Sequence, residues 1–146
     1  MAKDYKKGSD YRLGLMTSGT FASPTWTEIK SVGDIDVDPN PVDVEVPERG
    51  IDTGHLQGEK DPSFTFTLFE DADNSNVTTL IDAIYSGASV TLAVANGGLA
   101  TTGTKGVKMD CVLFAAHKGA RGDVSQWEVT ARRHANSDNA LTRFTV

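Results

Sequence analysis

The feature that most constrains the fold is a strict alternation of large apolar residues and threonine over residues 64–68, FTFTL. Successive side chains of a β-strand point to opposite faces, so this segment predicts a strand with one buried and one polar face. Residues 34–38, DIDVD, alternate in the same way, with three carboxylates on one face and two β-branched residues on the other. Both patterns indicate a sheet that is buried on one side and polar on the other.

The other strand signals are short apolar or alternating runs separated by turn-forming residues. They lie at 11–16, at 26–37 (one long strand or two), and at 90–95, 107–116, 126–134 and 141–146. We therefore predict a mainly β fold, a β-sandwich or partly closed barrel of about seven strands, with one flanking α-helix.

That helix is predicted over residues 76–86. Its apolar residues recur at i, i+3, i+4, i+7 and i+8 and form a single stripe. Ser75 or Asn76 is the expected N-terminal cap, and Gly87 the expected left-handed C-terminal residue. The stripe consists of Val77, Leu80, Ile81, Ile84 and Tyr85.

Two segments fall outside this pattern. Residues 1–10 are polar and basic and predict an N-terminal arm. Residues 39–62 contain four of the five prolines and predict a long mobile loop, in which Val42, Val44 and Val46 form at most a short extended piece. At 146 residues the chain is expected to form one domain, 1–146.

Composition narrows the class of function. The net charge of −6 argues against a surface that grips nucleic acid, which needs clustered Lys and Arg. The single cysteine, Cys111, cannot form an internal disulfide, and its place in an alternating strand predicts a small core residue. The N-terminal region has no apolar stretch typical of a secretory signal, so we expect assembly in a cytoplasm.

Motifs for chemistry are weak, so no catalytic residue, metal or cofactor is predicted. Asp34, Asp36, Asp38 and Glu45 match the spacing of a calcium loop, but Pro39 stands where that loop needs glycine. The tripeptide RGD at 121–123 fits a hairpin turn better than an adhesion motif.

The aromatic residues offer no clearer site. Trp26 and Trp127 could stack on sugars, yet each falls where a core needs a large residue, and we expect both to be buried. A non-catalytic carbohydrate- or partner-binding module remains the alternative function, and a hydrolase with an unmarked site the third.

Taken together, the chain resembles the major tail tube proteins of phages with long non-contractile tails. The resemblance covers most of the chain and depends on the order and spacing of whole blocks. These blocks are YKKGSDYR at 5–12, WTEIK at 26–30, VGD at 32–34, VEVPERG at 44–50, TGHLQGEKDP at 53–62, RGD at 121–123 and RRHANSDN at 132–139.

This resemblance implies a structural virion protein of the tail, assembled in the host cytoplasm. Six copies would close into a ring, rings would stack into a tube, and DNA would pass through the lumen without specific binding. The implied partners are the chain itself, a tape-measure protein, a tail terminator and tail-tip proteins.

Two sets of residues are candidates for these contacts. Inter-ring contacts are expected in the arm and the long loop, at Lys6, Asp10, Val44, Glu48, Arg49, His55, Glu59 and Lys60. The lumen lining is expected on the polar phase of the strands, at Asp34, Asp36, Asp38, Lys108, Asp110, Glu128 and Arg132. An ordinary solvated sheet face is the alternative interpretation of the second set.

Overall fold

The computed structural model describes residues 11–46, 53–71, 73–119, 125–135, 137 and 139–146, apart from the side chains of Val42 and Glu59. In these residues one α-helix and ten strands are present, so the predicted mainly β fold with one helix is confirmed. The strands are β1 Arg12–Gly19, β2 Pro24–Ile29, β3 Val32–Asp38, β4 Pro41–Val46, β5 Gly54–Lys60, β6 Ser63–Phe69, β7 Val90–Ala95, β8 Lys105–Lys118, β9 Gln126–Arg133 and β10 Thr142–Thr145.

Eight strands form one antiparallel sheet in the order β2-β1-β7-β8-β9-β6-β3, with β10 paired to β8. The fourteen-residue strand β8 is long enough to hold β10 beside its first half and β9 beside its second half. Strands β1 and β3 touch although four strands separate them in the sheet order, so the sheet is strongly curled without closing into a barrel.

The core lies on one face of this sheet. The apolar phase of FTFTL supplies Phe64, Phe66 and Leu68, all at most 2% exposed, which confirms the predicted strand. Cys111 is fully buried, as predicted. Trp127 is 5% exposed and confirms its predicted core position. Trp26 is only half-buried and stacks on Phe144 with ring centroids 5.9 Å apart, so its predicted core position is wrong.

The helix α1, Ser75–Ser86, covers the core and packs against β8. It buries Val77, Leu80 and Ala83, and each fully buried valine or leucine contributes roughly 1.5–3 kcal/mol. Gly87 ends the helix in the left-handed conformation, as predicted.

The predicted N-terminal cap is wrong by one or two residues. The side chain of Asn74, rather than that of Ser75 or Asn76, accepts the hydrogen bond from the backbone N–H of Asn76. No described helix is long and apolar enough to span a membrane.

The segment predicted as a long loop forms a second, two-stranded sheet. Strands β4 and β5 pair antiparallel. Pro41 is compatible with this pairing because it is the first residue of β4, where its missing backbone N–H is not needed for a hydrogen bond between the strands. At the base of the hairpin the backbone N–H of Asp61 donates to the carbonyl oxygen of Asn40 at 3.2 Å. This hairpin and the division of 26–37 into β2 and β3 account for the three strands beyond the predicted seven.

Candidate assembly surfaces

The polar phase of four neighbouring strands forms one continuous surface, which we call the polar face. Across it Asp36 pairs with Thr65, Thr65 with Thr130, and Thr130 with Phe114. The alternation that buries FTFTL on one side therefore places threonines and carboxylates together on the other. The polar face consists of Asp34, Asp36, Asp38, Thr65, Thr67, Phe114, Ala116, Glu128, Thr130 and Arg132.

The polar face carries little uncompensated positive charge. Arg132 donates to a carboxylate oxygen of Asp61 at 3.0 Å, and Lys118 at the margin donates to Glu128 at 2.8 Å. Within the described residues, Asp34 and Asp36 form no ion pair. The face therefore presents carboxylates and threonine hydroxyls, with both of these cations already neutralised.

Two predicted lining residues do not lie open on this face, which corrects the expectation for them. Lys108 is only 7% exposed, because its ammonium lies beneath the ring of Phe21 and near that of Phe144. Asp110 is half-buried under the loop that follows β9. Its carboxylate accepts hydrogen bonds from Thr91, from Ser137 at 2.6 Å and from Asn139 at 2.7 Å.

Burial alone would raise the pKa of Asp110. The hydrogen bonds from Ser137, Thr91 and Asn139, with the nearby positive charge of His134, outweigh burial and hold the pKa below its ordinary 3.8. Lys108 and Asp110 therefore fasten the β1–β2 turn and the C-terminal segment to β8, and they do so inside one subunit.

Among the described residues, the four strands that carry the polar face leave two open edges. Strand β3 is the last strand of the sheet on one side. On the other side, β7 pairs with β8 only as far as Cys111, so Val112–Lys118 pairs with β9 alone among the described residues. An open strand edge presents unpaired backbone groups that can pair with another chain.

The β4–β5 hairpin holds the described members of the predicted inter-ring set. Val44 faces Leu56 across the two strands, and they are 42% and 62% exposed. His55 lies on the opposite face, where its Nδ1 is 2.9 Å from a carboxylate oxygen of Asp43. Glu59 and Lys60 are the last two residues of β5, and Lys60 is exposed. The remaining four candidates, Lys6, Asp10, Glu48 and Arg49, lie outside the described residues.

A groove lies between β1, β3 and the region where β7, β8 and β10 pair, and we call it the end groove. Its volume is about 520 Å³. Val94 and Val107 contribute apolar surface from the core side, and Val37, just before the hairpin, is 37% exposed. The groove is lined by Tyr11, Val37, Val94, Asn96, Lys105, Gly106, Val107, Arg143, Phe144 and Thr145.

One cluster has residue types found in hydrolases. The Ser125 hydroxyl lies within hydrogen-bond distance of His117 Nε2 and donates to Glu70 at 2.8 Å. In a catalytic triad the carboxylate would instead bind the far nitrogen of the imidazole and orient it. Here Glu70 is 3.8 Å from the same Nε2 that faces the serine, so the triad order is not present.

Metal-binding and reactive groups are equally sparse in the described part of the chain. No three His, Cys, Asp or Glu side chains there are grouped to hold a metal ion. Asp34, Asp36 and Asp38, the start of the calcium-like pattern, lie along β3 rather than in a loop. Burial raises the pKa of the Cys111 thiol to about 12, so the sulfur is almost entirely protonated at neutral pH. The RGD tripeptide lies outside the described residues.

Sequence reasoning missed two features of these surfaces. Phe114 is 55% exposed on β8, at the edge of the polar face. The available signal was its position four residues after Asp110, on the same face of the strand. Lys105 and Arg143 come together at the end groove only because β10 pairs with the start of β8. That pairing joins residues far apart in the chain, and no local pattern reports it.

Comparisons with known proteins identify the fold. No protein-family model and no curated protein matches the chain. A solved structure of the tail of an empty GTA particle, refined with helical C6 symmetry, aligns with a TM-score of 0.67 at 14% identity, covering 94% of this chain and 98% of that one.

Two further structures are tube-terminating components. The sheath/tube terminator of an extracellular contractile injection system, PVC, aligns with a TM-score of 0.59 at 9% identity, covering 99% of each chain. The tube-terminating cap of the anti-feeding prophage aligns with a TM-score of 0.58 at 12% identity, covering 100% of this chain and 95% of that one. At these identities the likeness establishes that the chain has the fold found in components of tail particles and injection systems.

Proposed function

We propose that the chain is the repeating, non-catalytic subunit of a phage tail tube. Copies close into hexameric rings, the rings stack, and the lumen conducts DNA during ejection. The observation that carries this proposal is the four-stranded block β8-β9-β6-β3, which has an open edge on each side and one uncovered polar face.

The two open edges differ, and a head-to-tail ring requires that difference. An interface that repeats around a ring joins two unlike patches on successive copies. The β3 edge of one copy pairs with the Val112–Lys118 edge of the next, which completes the backbone hydrogen bonds of both strands. Repeating this contact extends the sheet around a closed wall.

In such a wall the polar face lines the lumen. Asp34 and Asp36, which form no ion pair with a described residue, repel the phosphates of DNA. Glu128 and Arg132 are already engaged, by Lys118 and Asp61 respectively. Passage without specific binding follows from the shortage of free cations. Lys108 and Asp110 are withdrawn from the proposed lining because they act within the subunit.

The hairpin β4–β5 supplies the contacts between stacked rings in this proposal, with Val44, His55 and Lys60 among its exposed residues. The tape-measure protein, the tail terminator and the tail-tip proteins are the other partners, and the finished protein resides in the virion tail.

The sequence resemblance favours a tail tube of the non-contractile type. Electron micrographs of particles that contain this chain are then expected to show a tube without a sheath.

Assembly is the direct test. Concentrated protein seeded with tail tips is expected to form sixfold rings or tubes in negative-stain electron microscopy. Particles that remain strictly monomeric under these conditions would overturn the proposal.

A matched pair of variants tests the edge contact. Phe114→Glu adds a carboxylate to the β8 edge, where it faces the aspartates of the incoming β3, and like charges directly opposite destabilise strand pairing. Phe114→Gln has the same size without the charge. We expect the glutamate variant to remain monomeric and the glutamine variant to assemble, and equal assembly of both would contradict the pairing.

A further inference from the structure

The β4–β5 hairpin has an apolar surface that no other described strand or helix covers. Val44 and Leu56 are direct partners on one face, and both are exposed. The two strands make extensive contacts only with each other among the described elements. An isolated two-stranded hairpin is at best marginally stable in water, so this face gains stability from another surface.

The end groove is an apolar surface of matching character. Val37 and Tyr11 are 37% and 42% exposed at its walls, with Val94 and Val107 behind them. A volume of about 520 Å³ lies within the roughly 300–1,000 Å³ of ordinary binding pockets, so it holds several side chains.

The charges of the two surfaces are complementary. Lys105 and Arg143 line the groove and form no ion pair with any described residue. Strand β4 carries Asp43 and Glu45 on the face opposite Val44. The hairpin is a single layer of two strands, and the long flexible stems of lysine and arginine reach around the edge of such a ribbon.

We propose that the end groove of one copy receives the Val44–Leu56 face of the hairpin of a neighbouring copy, with Lys105 and Arg143 meeting Asp43 and Glu45. The described strands of the hairpin do not line the groove of their own copy. This inference rests on the proposed assembly and specifies the receiving site for the hairpin.

Charge exchange between two variants tests it. Variant A carries Lys105→Glu and Arg143→Glu, and variant B carries Asp43→Lys and Glu45→Lys. Each alone places like charges across the contact, which should lower tube yield by about tenfold or more because such juxtaposition opposes association. An equimolar mixture restores opposite charges at every contact between unlike copies and is expected to recover assembly. Lys30→Glu and Asp82→Lys, exposed changes elsewhere, are the controls and should assemble normally.

Cross-linking provides a readout that does not depend on the charge variants. In mixed tubes, Leu56→Cys on one copy and Thr145→Cys on the other should form an intermolecular disulfide, whereas Phe114→Cys in place of Thr145→Cys should not. The buried native Cys111 does not compete.

The outcomes separate this inference from the proposed function. If the wild-type chain never assembles, the tube proposal itself fails. If the wild type assembles but variant A also does, or if the mixture fails to recover and no Leu56–Thr145 cross-link forms, the groove holds another occupant, such as residues 1–10, and the docking proposal is overturned.

Discussion

The ammonium of Lys108 lies 4.6 Å from the centre of the Phe21 ring and donates a hydrogen bond to the backbone carbonyl oxygen of Phe21. The ring of Phe144 is 5.8 Å away on β10, and Trp26 stacks on that ring. One buried cation therefore joins the β1–β2 turn, the start of β8 and the C-terminal strand. No carboxylate pairs with it among the described residues.

Removing this cation should loosen the C-terminal strand. A hydrogen bond from a charged donor contributes about 1.5–3 kcal/mol, and a cation–π contact about 0.5–2 kcal/mol, against the cost of burying the charge. Lys108→Ala is therefore expected to lower the free energy of unfolding by about 1–3 kcal/mol in urea titrations. Lys108→Met, which keeps the packing of the stem, should cost less. Equal stability of Lys108→Ala and wild type would show that Lys108 does not fasten the strand.

Asp110 should make stability depend on pH below neutrality. Its pKa in the folded chain is depressed, so its ionised form stabilises the fold at pH above 3.8, and this contribution is lost as the pH falls through the lower folded value. The stability difference between wild type and Asp110→Asn is expected to be fully present at pH well above 3.8 and to shrink as the pH falls well below 3.8. Unfolding curves at several pH values measure it. A difference independent of pH would rule out a role for the carboxylate charge.

Much of the fold was predictable because its patterns are local. Alternation located FTFTL and the DIDVD part of β3, and the apolar stripe located the helix. The polar phase of β3 and β9 likewise placed Asp36 and Glu128 on one side, and the structure brings them onto one face.

What escaped prediction depends on pairing between distant segments. Lys108 follows the polar phase of β8, but Phe21 and Phe144 come from elements 87 and 36 residues away and cover it. The hairpin β4–β5 was hidden by the prolines in and around it, although the one proline within its strands, Pro41, is tolerated because it begins β4. The end groove depends on the curl of the sheet, which brings β1 and β3 together.

The N-terminal cap of the helix offers a local test of a corrected position. Asn74 accepts the hydrogen bond from the N–H of Asn76 at 3.0 Å, and loss of such a cap typically costs about 0.5–2 kcal/mol. Asn74→Ala is expected to lower the melting temperature measurably. Ser75→Ala, one residue further on and exposed, should change stability by less than about 0.5 kcal/mol. The reverse order of the two effects would restore Ser75 as the cap.

The buried indole N–H of Trp127 has no hydrogen-bond partner among the residues that the structure describes. The centroid of its ring lies 5.7 Å from that of Tyr85 and 4.6 Å from that of His117. A buried unsatisfied donor costs about 1–3 kcal/mol, which replacement by phenylalanine would recover while leaving a small void. Trp127→Phe is therefore expected to change the free energy of unfolding by less than about 1 kcal/mol, whereas Trp127→Ala should cost about 3–5 kcal/mol. Chemical denaturation followed by circular dichroism compares them without relying on tryptophan fluorescence. If Trp127→Phe proves as damaging as Trp127→Ala, the indole N–H has a partner that stabilises the fold, and its buried donor is not a cost.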